Sequence, residues 1–388
     1  MPRVLCIADD LTGAAEIAGI GVDHGLSARL VRKSEGITNI EAGILCVDTD
    51  SRSVRLDYKL EQKRKQLFHE PINCEFFYKK TDSALRGNID AELLALMLAL
   101  GRPHALLLAQ NPSKGRTIFE GIYRIGAMPL DKTDFARDPE FPRRSARVVE
   151  FFDRKLVDVH SLNPTDPLPK SGIVICNAAT PAEVAKWAAR VDDQTIAAGG
   201  ADFFQALLRA RGHTFKPVAV PEVPTAWLML CGSASAYSRN LVQEWTARNQ
   251  AVAAMADELF DEPSHAPHQS RWAGEIERML ATHARGILAI PQAISPARSA
   301  SLRACMAATI RTLLHARSER APLRLYIEGG ATTAALVEAM GWQEFTVEGN
   351  LAPGVVALRP AALPTIQLAI KPGSYPWPAS LTAALTAP

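Results

Sequence analysis

The sequence predicts an α/β protein with two α/β domains, each built on a largely parallel sheet. Short apolar segments such as Val4–Ala8, Gly43–Val47 and Ala105–Ala109 recur along the chain and alternate with helical segments. Continuous apolar strands that alternate with helices are typical of parallel sheets covered on both faces. Polar residues cluster directly after these strands, which is where open α/β sheets bind their ligands.

The first half of the chain carries this alternation most regularly. Val4–Ala8 is followed by two aspartates and an alanine-rich helical segment, which is the order of a βα unit. In chain order, the predicted elements are strands at Val4–Ala8, Gly43–Val47, Phe76–Tyr78, Ala105–Ala109, Gly172–Cys176 and Thr195–Ala198, with a helix over Ala91–Leu100.

The second half repeats the pattern after a proline-rich segment. Thr214–Ala226 contains three prolines and predicts a linker, which gives an N-terminal domain over residues 1–213 and a C-terminal domain over residues 227–388. Asp261–Gln269 is polar and predicts a loop. The predicted elements after the linker are strands at Trp227–Cys231, Gly286–Ile290, Arg324–Ile327 and Ile366–Ile370, with a helix over Ala334–Met340.

Composition and charge narrow the class of protein. The 388 residues suffice for two domains, and 43 basic residues balance 41 acidic ones, which argues against a nucleic-acid-binding surface. The six cysteines show no CxxC spacing and predict reduced thiols. We find neither a signal peptide nor an apolar stretch long enough to span a membrane, so we expect a cytoplasmic protein without a membrane partner. A homo-oligomer is compatible with the sequence, which leaves the oligomeric state open.

Two adjacent carboxylates stand at the first predicted strand-to-helix turn, in Asp9-Asp10-Leu11-Thr12-Gly13-Ala14. Asp10 or Thr12 is expected to cap the helix that follows. A second carboxylate exceeds what a cap needs. Asp9 and Asp10 are therefore candidates to hold substrate hydroxyls, to orient Mg²⁺ or to accept a proton.

A second polar cluster, Lys79–Asn88 (KKTDSALRGN), follows the predicted strand Phe76–Tyr78. Its cations suit a carboxylate or a phosphoryl group, and its aspartate suits a hydroxyl. A glycine here permits a tight turn, and Asn88 is a candidate helix cap. The alternative is a solvated loop. The candidate substrate-binding residues are Lys79, Lys80, Thr81, Asp82, Arg86 and Asn88, together with Arg52 at the end of another predicted strand.

Glycines follow three predicted strands of the second half. Gly329-Gly330-Ala331-Thr332 precedes a helix, and the N-terminus of a helix offers N–H groups to phosphates. Gly232-Ser233 and Lys371-Pro372-Gly373 are placed in the same way after other strands. Each turn alone is common in α/β domains; together they predict a nucleotide site.

Several other functions lack their sequence signals. There is no GxxxxGK[ST], and Gly19, Gly21 and Gly25 miss GxGxxG by one position, so neither a P-loop nor a dinucleotide site is expected. His265 and His268 form HxxH in a polar segment and predict loop histidines. We predict no metal site built from protein side chains.

The ordered series of motifs resembles the four-carbon acid sugar kinase family. The resemblance runs from Asp9–Ala14 and Lys79–Asn88 through Gly115–Pro142, which is similar to a long family signature. It continues in Gly232-Ser233, Gly329–Thr332, Gly349–Gly354 and Lys371–Gly373, and so covers nearly the whole chain.

The resemblance implies a sugar-acid-binding N-terminal domain, an ATP-binding C-terminal domain and an active-site cleft between them. It implies transfer of the γ-phosphoryl of ATP, with Mg²⁺, to the C4 hydroxyl of a sugar acid such as threonate or erythronate. Asp10 and Asp82 are the candidate catalytic residues. By position, the resemblance implies substrate contacts at Asp10, Arg52 and Lys79–Asp82, and nucleotide contacts at Ser233, Gly329, Gly330, Ala331, Thr332 and Gly373.

Details of the motifs bear on the substrate. KKTDSALRGN is similar to the threonate and erythronate kinase branch and less so to the 3-oxo-tetronate kinase branch. The family usually carries Asp or Glu where Ala331 stands, and a Gly-Phe-Gly-like run where Ser374–Pro378 stands. The alternatives are a kinase of a 3-oxo or branched sugar acid, a non-catalytic sugar-acid sensor that keeps the fold, and, from another class, an oxidoreductase.

Overall fold

The chain divides into two compact units, Met1–Pro217 and Val218–Pro388, which we call the N-terminal unit and the C-terminal unit. In this computed structural model, the described residues are 3–32, 40–53, 74–138, 140–218, 226–232, 236–248, 250–290, 296–317, 322–352, 354–373, 377–379 and 381–382.

The described part of the N-terminal unit contains an eight-stranded sheet in which every pairing is parallel. The strand order is β2-β3-β1-β4-β11-β5-β10-β9, so that β11, the last strand of the unit along the chain, lies between β4 and β5. The strands are β1 (Val4–Ala8), β2 (Ala28–Arg32), β3 (Ile44–Asp48), β4 (Phe76–Lys80), β5 (His104–Leu108), β9 (Val159–Leu162), β10 (Gly172–Cys176) and β11 (Thr195–Gly199).

Helices and a small second sheet complete the described part of this unit. An antiparallel sheet of three strands is inserted between β5 and β9, and it packs beside short 3-10 segments. The helices are α1 (Leu11–Asp23), α2 (Ile89–Leu100), α3 (Pro181–Ala188) and α4 (Ala201–Ala210); the small sheet is β6 (Arg116–Phe119), β7 (Ile122–Ile125) and β8 (Met128–Pro129); the 3-10 segments are Pro112–Lys114, Leu130–Lys132, Asp134–Arg137 and Val148–Phe151.

The C-terminal unit has a mixed sheet over its described residues. The order is β13-β14-β12-β15-β18-β17-β16, parallel from β13 to β18 and antiparallel for the last two pairings. The strands are β12 (Ala226–Cys231), β13 (Val252–Ala254), β14 (Arg285–Ala289), β15 (Leu323–Glu328), β16 (Glu344–Ala352), β17 (Val355–Pro360) and β18 (Ile366–Lys371); the helices are α5 (Ala236–Ala247), α6 (Asp257–Asp261), α7 (Ala266–His283), α8 (Pro296–Arg317) and α9 (Gly330–Met340).

Each unit buries its own apolar core, as the continuous apolar strands require. In the N-terminal unit a core cluster joins strand residues such as Leu5 and Leu107 to Leu93 of α2. In the C-terminal unit a cluster centres on Trp227, Trp245 and other aromatic side chains. All six cysteines are free. Among the described residues, no helix has both the length and the hydropathy needed to cross a membrane.

The predicted fold class, two α/β units with largely parallel sheets, is confirmed; the cleft between them stays a prediction. Three local predictions were wrong. Strand β4 continues two residues past Tyr78, and helix α9 begins at Gly330 and not at Ala334. The predicted loop Asp261–Gln269 contains the end of α6 and the start of α7, which places His268 in a helix.

Candidate active site

Three neighbouring strands of the N-terminal sheet deliver charged residues to one edge. Strands β3, β1 and β4 lie side by side and run parallel. Asp9 and Asp10 follow β1, Arg52 lies four residues after β3, and Asp82 lies two residues after β4. Because the carboxyl ends of parallel strands meet at the same edge, the three loops bring these side chains together.

The Arg52 guanidinium joins all three loops. Its Nε and Nη2 donate to the two carboxylate oxygens of Asp9, at 2.8 and 3.1 Å. Its Nη1 donates to Asp10 Oδ2 at 2.8 Å and lies 3.7 Å from Asp82 Oδ1. A planar guanidinium matches a carboxylate at two points, so Arg52 fixes Asp9 firmly and aligns Asp10 beside it. The predicted arginine is thus paired within the protein.

Asp10, one of the two predicted capping residues, is the N-cap residue of α1. Its Oδ1 accepts from Gly13 N and its Oδ2 from Thr12 Oγ1, both at 2.8 Å. Burial alone would raise the pKa of Asp10, but the charges of Arg52 and Lys80 outweigh burial and hold the pKa below its ordinary value. Its side chain is 22% exposed, against 8% for Asp82. Asp10 is therefore the more accessible ionised carboxylate.

Asp82 is held by its own loop. Its Oδ2 accepts from the backbone N–H groups of Ala84 and Arg86, and its two oxygens accept a forked pair of bonds at 2.9 Å from the Arg86 guanidinium. Burial favours a higher pKa, but Arg52 and Arg86 outweigh it and keep the pKa of Asp82 far below its ordinary value. Asp82 is thus ionised, and its oxygens are already engaged.

The two lysines of the second motif face opposite sides of the sheet. Both belong to β4, where successive side chains alternate in direction. Lys79 is 1% exposed, and its Nζ lies 2.7 Å from Glu92 of α2. Lys80 Nζ lies 3.6 Å from Glu16 of α1 and donates to the backbone oxygen of the next residue. The two cations therefore do not point at one common ligand.

A second cation, besides Lys80, approaches Glu16. Lys114, in the 3-10 segment after β5, places its Nζ 3.1 Å from Glu16 Oε1. Burial opposes ionisation of Glu16, yet the charges of Lys80 and Lys114 lower its pKa overall. The same carboxylate raises the pKa of Lys80 against the effect of burial. Glu16 and Lys114 were not predicted, because no motif links these positions in sequence.

The remaining predicted residues of this motif support its loop. Thr81 is buried, and its N–H donates to Gly199 O of β11 at 3.1 Å. Asn88 occupies the N-cap position of α2, but its side chain makes no capping bond and donates weakly to Ser51 O, at 3.4 Å. The predicted cap is therefore positional only. Gly87 has a φ of 93°, which confirms the turn expected there.

The loop 82–88 is clamped by the small sheet and its neighbours, which the sequence alone did not reveal. Leu85 has a φ of 61°, a conformation that a residue with a side chain rarely adopts. Arg143 donates to its carbonyl oxygen. Tyr123 and Arg116 donate to the backbone oxygen and the hydroxyl of Ser83. These three bonds hold the strained loop in the shape that presents Asp82.

One further carboxylate behind the site was not singled out. Asp48 is the last residue of β3 and lies 2% exposed, 3.4 Å from Arg32 Nε. Burial, followed by the nearby carboxylates Asp50 and Asp10, raises the pKa of Asp48 to about 7. No sequence pattern predicts this shift, since an aspartate at a strand end is ordinary.

In the C-terminal unit, the predicted glycine turns converge. Strands β12, β15 and β18 are neighbours, and the turns follow their carboxyl ends. A Cβ placed on Gly373 would lie 3.5 Å from Gly329 Cα, and a Cβ on Gly232 would lie 2.4 Å from Thr332 Oγ1. At Gly232 a side chain would collide with Thr332, so glycine at this position allows the two loops to approach closely, whereas the distance at Gly373 is an ordinary contact. Ser233, the other predicted residue of the first turn, lies outside the described residues.

The start of α9 has the form of an anion site. Gly329 is its N-cap residue, has a φ of 91° and offers no side-chain cap to the first N–H groups. Gly330, Ala331 and Thr332 form the first turn, in which Ala331 is exposed and Thr332 is buried. An N-terminal turn without a capping side chain, flanked by glycines, is suited to bind phosphate oxygens. These residues fit a nucleotide.

Lys371 does not extend toward this turn. Its Nζ lies 3.3 Å from Glu328 Oε1, and both side chains are fully buried. Burial lowers the pKa of Lys371 despite the Glu328 carboxylate. The pair lies at the ends of the neighbouring strands β15 and β18, directly before the two glycine turns, and links the two strand ends.

Comparisons with known proteins match the two units to two different domain families. Residues 4–207 match the family described as "Sugar-binding N-terminal domain", and residues 228–375 match the one described as "Nucleotide-binding C-terminal domain". A D-threonate kinase of Salmonella typhimurium is 33% identical over 150 residues, which cover 38% of this chain and 36% of that protein. A 3-oxo-tetronate kinase of Brucella melitensis is 24% identical over 96% of this chain and 93% of that protein.

Solved structures show the same fold. A structure from Salmonella typhimurium LT2 superposes with a TM-score of 0.80 at 17% identity, covering 100% of this chain and 99% of that one. The fold and the two motif clusters define a class of protein that joins a sugar-binding unit to a nucleotide-binding unit. Within that class, the chain belongs to the four-carbon acid sugar kinase family. The enzyme class predicted from the sequence, a sugar-acid kinase, is confirmed by the same comparisons.

Proposed function

We propose that the protein transfers the γ-phosphoryl group of ATP to the C4 hydroxyl of threonate or erythronate. The observation that carries the proposal is the gathering of Asp10, Arg52 and Asp82 at the carboxyl edge of the N-terminal sheet. Ionised carboxylates are hydrogen-bond acceptors for several hydroxyls, which is what a polyhydroxylated acid presents. The convergent glycine turns of the other unit supply a matching site for phosphates.

In this proposal Asp10 accepts the proton of the attacking hydroxyl. The hydroxyl oxygen forms a bond to the γ-phosphorus, the bond from that phosphorus to the ADP oxygen breaks, and the proton passes to Asp10. Phosphoryl transfer depends mainly on alignment and charge neutralisation, so a base with a low pKa suffices. Asp82 is the weaker candidate, because its oxygens are occupied by Arg86 and its side chain is less exposed.

The other predicted residues divide into contacts and supports. Arg86 is the most exposed cation of its loop, with a side chain 29% exposed. It donates to Asp82 and Asp138, and we assign its two remaining N–H groups to the substrate carboxylate. Asp9, Asp82 and Arg52 hold Asp10 in position through their shared ion pairs. We leave Lys79 out of the contacts, because its ammonium is buried on Glu92. Lys80, Thr81 and Asn88 support the loops from behind.

ATP, when bound, supplies the transferable group, and Mg²⁺ neutralises part of its charge. The residues proposed for the nucleotide are Gly329, Gly330, Ala331, Thr332 and Gly373, together with Ser233. Backbone N–H groups at the start of α9 would hold phosphate oxygens. We assign no protein side chain to Mg²⁺. The cytoplasm, where ATP is available and thiols stay reduced, is the proposed location.

The decisive experiment is a coupled assay of ADP release with a panel of acids. The panel contains D- and L-threonate, D- and L-erythronate and their 3-oxo forms, each with ATP and Mg²⁺. We expect ADP release with one or more of the 3-hydroxy acids, and a product whose phosphate is bonded to C4 by ³¹P-coupled NMR. Binding of an acid without ADP release would indicate a sensor and would overturn the proposal.

One specific observation favours a second substrate. The match to a 3-oxo-tetronate kinase spans 93% of that protein, whereas the match to a D-threonate kinase spans 36%. A 3-oxo-tetronate differs from a tetronate at C3, where a carbonyl replaces the hydroxyl. If kcat/KM is highest for a 3-oxo acid, the substrate assignment changes while the transfer to the C4 hydroxyl remains.

A further inference from the structure

The turn between α6 and α7 gathers three side chains of a kind that binds transition metals. Glu262 is the C-cap residue of α6, His265 is the N-cap residue of α7, and His268 lies in the first turn of that helix. One donor atom from each residue lies within 4.8 Å of the other two. The turn follows β13 in the C-terminal unit and shares no residue with the nucleotide motif.

The backbone of this turn is fixed by hydrogen bonds. His265 N donates to Glu262 O and Gln269 N donates to His265 O, both at 3.1 Å. Gln269 Nε2 donates to Pro263 O at 2.7 Å. The three candidate ligands are therefore presented by a turn whose main chain is already ordered, so binding would cost mainly the side-chain rotations.

The two histidine rings are close together, and one of them has an unsatisfied nitrogen. Their ring centroids lie 4.0 Å apart. His268 Nδ1 is buried and has no hydrogen-bond partner among the residues that the structure describes. A buried polar nitrogen without a partner destabilises the fold, so a rotation of the His268 ring toward a bound metal ion would break no hydrogen bond at this atom.

We propose that Glu262, His265 and His268 bind a divalent transition-metal ion, of which Zn²⁺ is the best match. Two imidazoles and one carboxylate form a ligand set typical of Zn²⁺, which leaves a fourth position for water. Tetrahedral bonds of about 2.0–2.1 Å place the donor atoms about 3.3 Å apart. Side-chain rotations that move each donor atom by roughly 1 Å would therefore close the site. Mg²⁺ prefers oxygen ligands, which separates this site from the metal that accompanies ATP.

The test uses the full chain without an affinity tag, freed of metal and titrated with Zn²⁺ alone by calorimetry. We expect about one Zn²⁺ per chain, and a rise in the midpoint of thermal unfolding on binding. The double variant His265→Ala/His268→Ala should bind Zn²⁺ at least about tenfold more weakly. Co²⁺ should give the absorption bands of a four-coordinate site in the unaltered protein and not in this variant.

A matched control removes two histidines elsewhere. His283 and His315 are exposed and lie outside the cluster. The variant His283→Ala/His315→Ala should keep the affinity and the stoichiometry of the unaltered protein. The proposal is overturned if the unaltered protein binds no Zn²⁺, or if the control loses as much affinity as the cluster variant. Excess Mg²⁺ that displaces the Zn²⁺ would also contradict it.

Discussion

The two clusters proposed for catalysis differ in the groups that form them. In the N-terminal unit the cluster consists of charged side chains that are already paired with one another, with Arg52 joined to three aspartates. In the C-terminal unit it consists of glycines and a helix start, and the charged pair Glu328–Lys371 at the adjoining strand ends is buried. Side-chain charges fixed in advance suit hydroxyls that must be aligned, whereas bare backbone suits a ligand that brings its own charge.

The largest expected effect comes from removing the charge of Asp10. Asp10→Asn keeps the capping oxygen for Gly13 N but cannot accept a proton, so kcat should fall about 10³-fold with the fold intact. Steady-state kinetics and thermal unfolding measure the two effects. Asp134→Asn, at a fully exposed carboxylate, is the matched control. Near-normal turnover in Asp10→Asn would remove this residue from the chemistry.

Next in size is the loss of the cation that holds the carboxylates together. Arg52→Gln leaves Asp9, Asp10 and Asp82 without their shared partner in a partly buried site. Breaking such a pair should lower the free energy of unfolding by about 3 kcal/mol. Urea denaturation measures it, and Arg137→Gln, at a largely exposed side chain, should change little. A destabilisation of less than about 1 kcal/mol would show that the carboxylates are accommodated without Arg52.

A charge introduced into the glycine cluster should affect the nucleotide alone. Gly330→Asp places a carboxylate where phosphates are proposed to bind, so the KM for ATP should rise roughly tenfold to a hundredfold. The KM for the acid should stay within about twofold, because no residue of the N-terminal cluster is altered. Gly274→Asp, at an exposed position within α7, is the control. Equal rises in both KM values would contradict the separation of the two clusters.

The last prediction concerns the dependence of stability on pH. The pKa of Asp48 is raised from 3.8 to about 7, so the folded state binds a proton that the unfolded state releases. This contribution to stability is fully present below about pH 4 and is lost as pH rises to about 7. Asp48→Asn should weaken the pH dependence of the thermal unfolding midpoint, by a few degrees over this range. Calorimetry at several pH values measures it. An unchanged slope would show that Asp48 titrates normally.

The sequence predicted the locations of the clusters better than their internal contacts. Asp10, Arg52 and Asp82 could be placed together because each follows an apolar strand of one parallel sheet. The directions of Lys79 and Lys80 depend on where β4 ends, and the apolar pattern ended two residues early. Glu16, Glu92 and Arg143 were missed because their partners lie far away in sequence. Such pairings arise from tertiary packing and leave no local pattern.

The position of β11 has a consequence for how the protein is made. Because β11 separates β4 from β5, the sheet that emerges first from the ribosome has a gap that only residues 195–199 fill. Until then two strand edges stay unpaired, and the N–H of Thr81 lacks its acceptor, Gly199 O. The nascent chain therefore exposes open strand edges until nearly the whole N-terminal unit has been made, and such edges favour pairing with other chains.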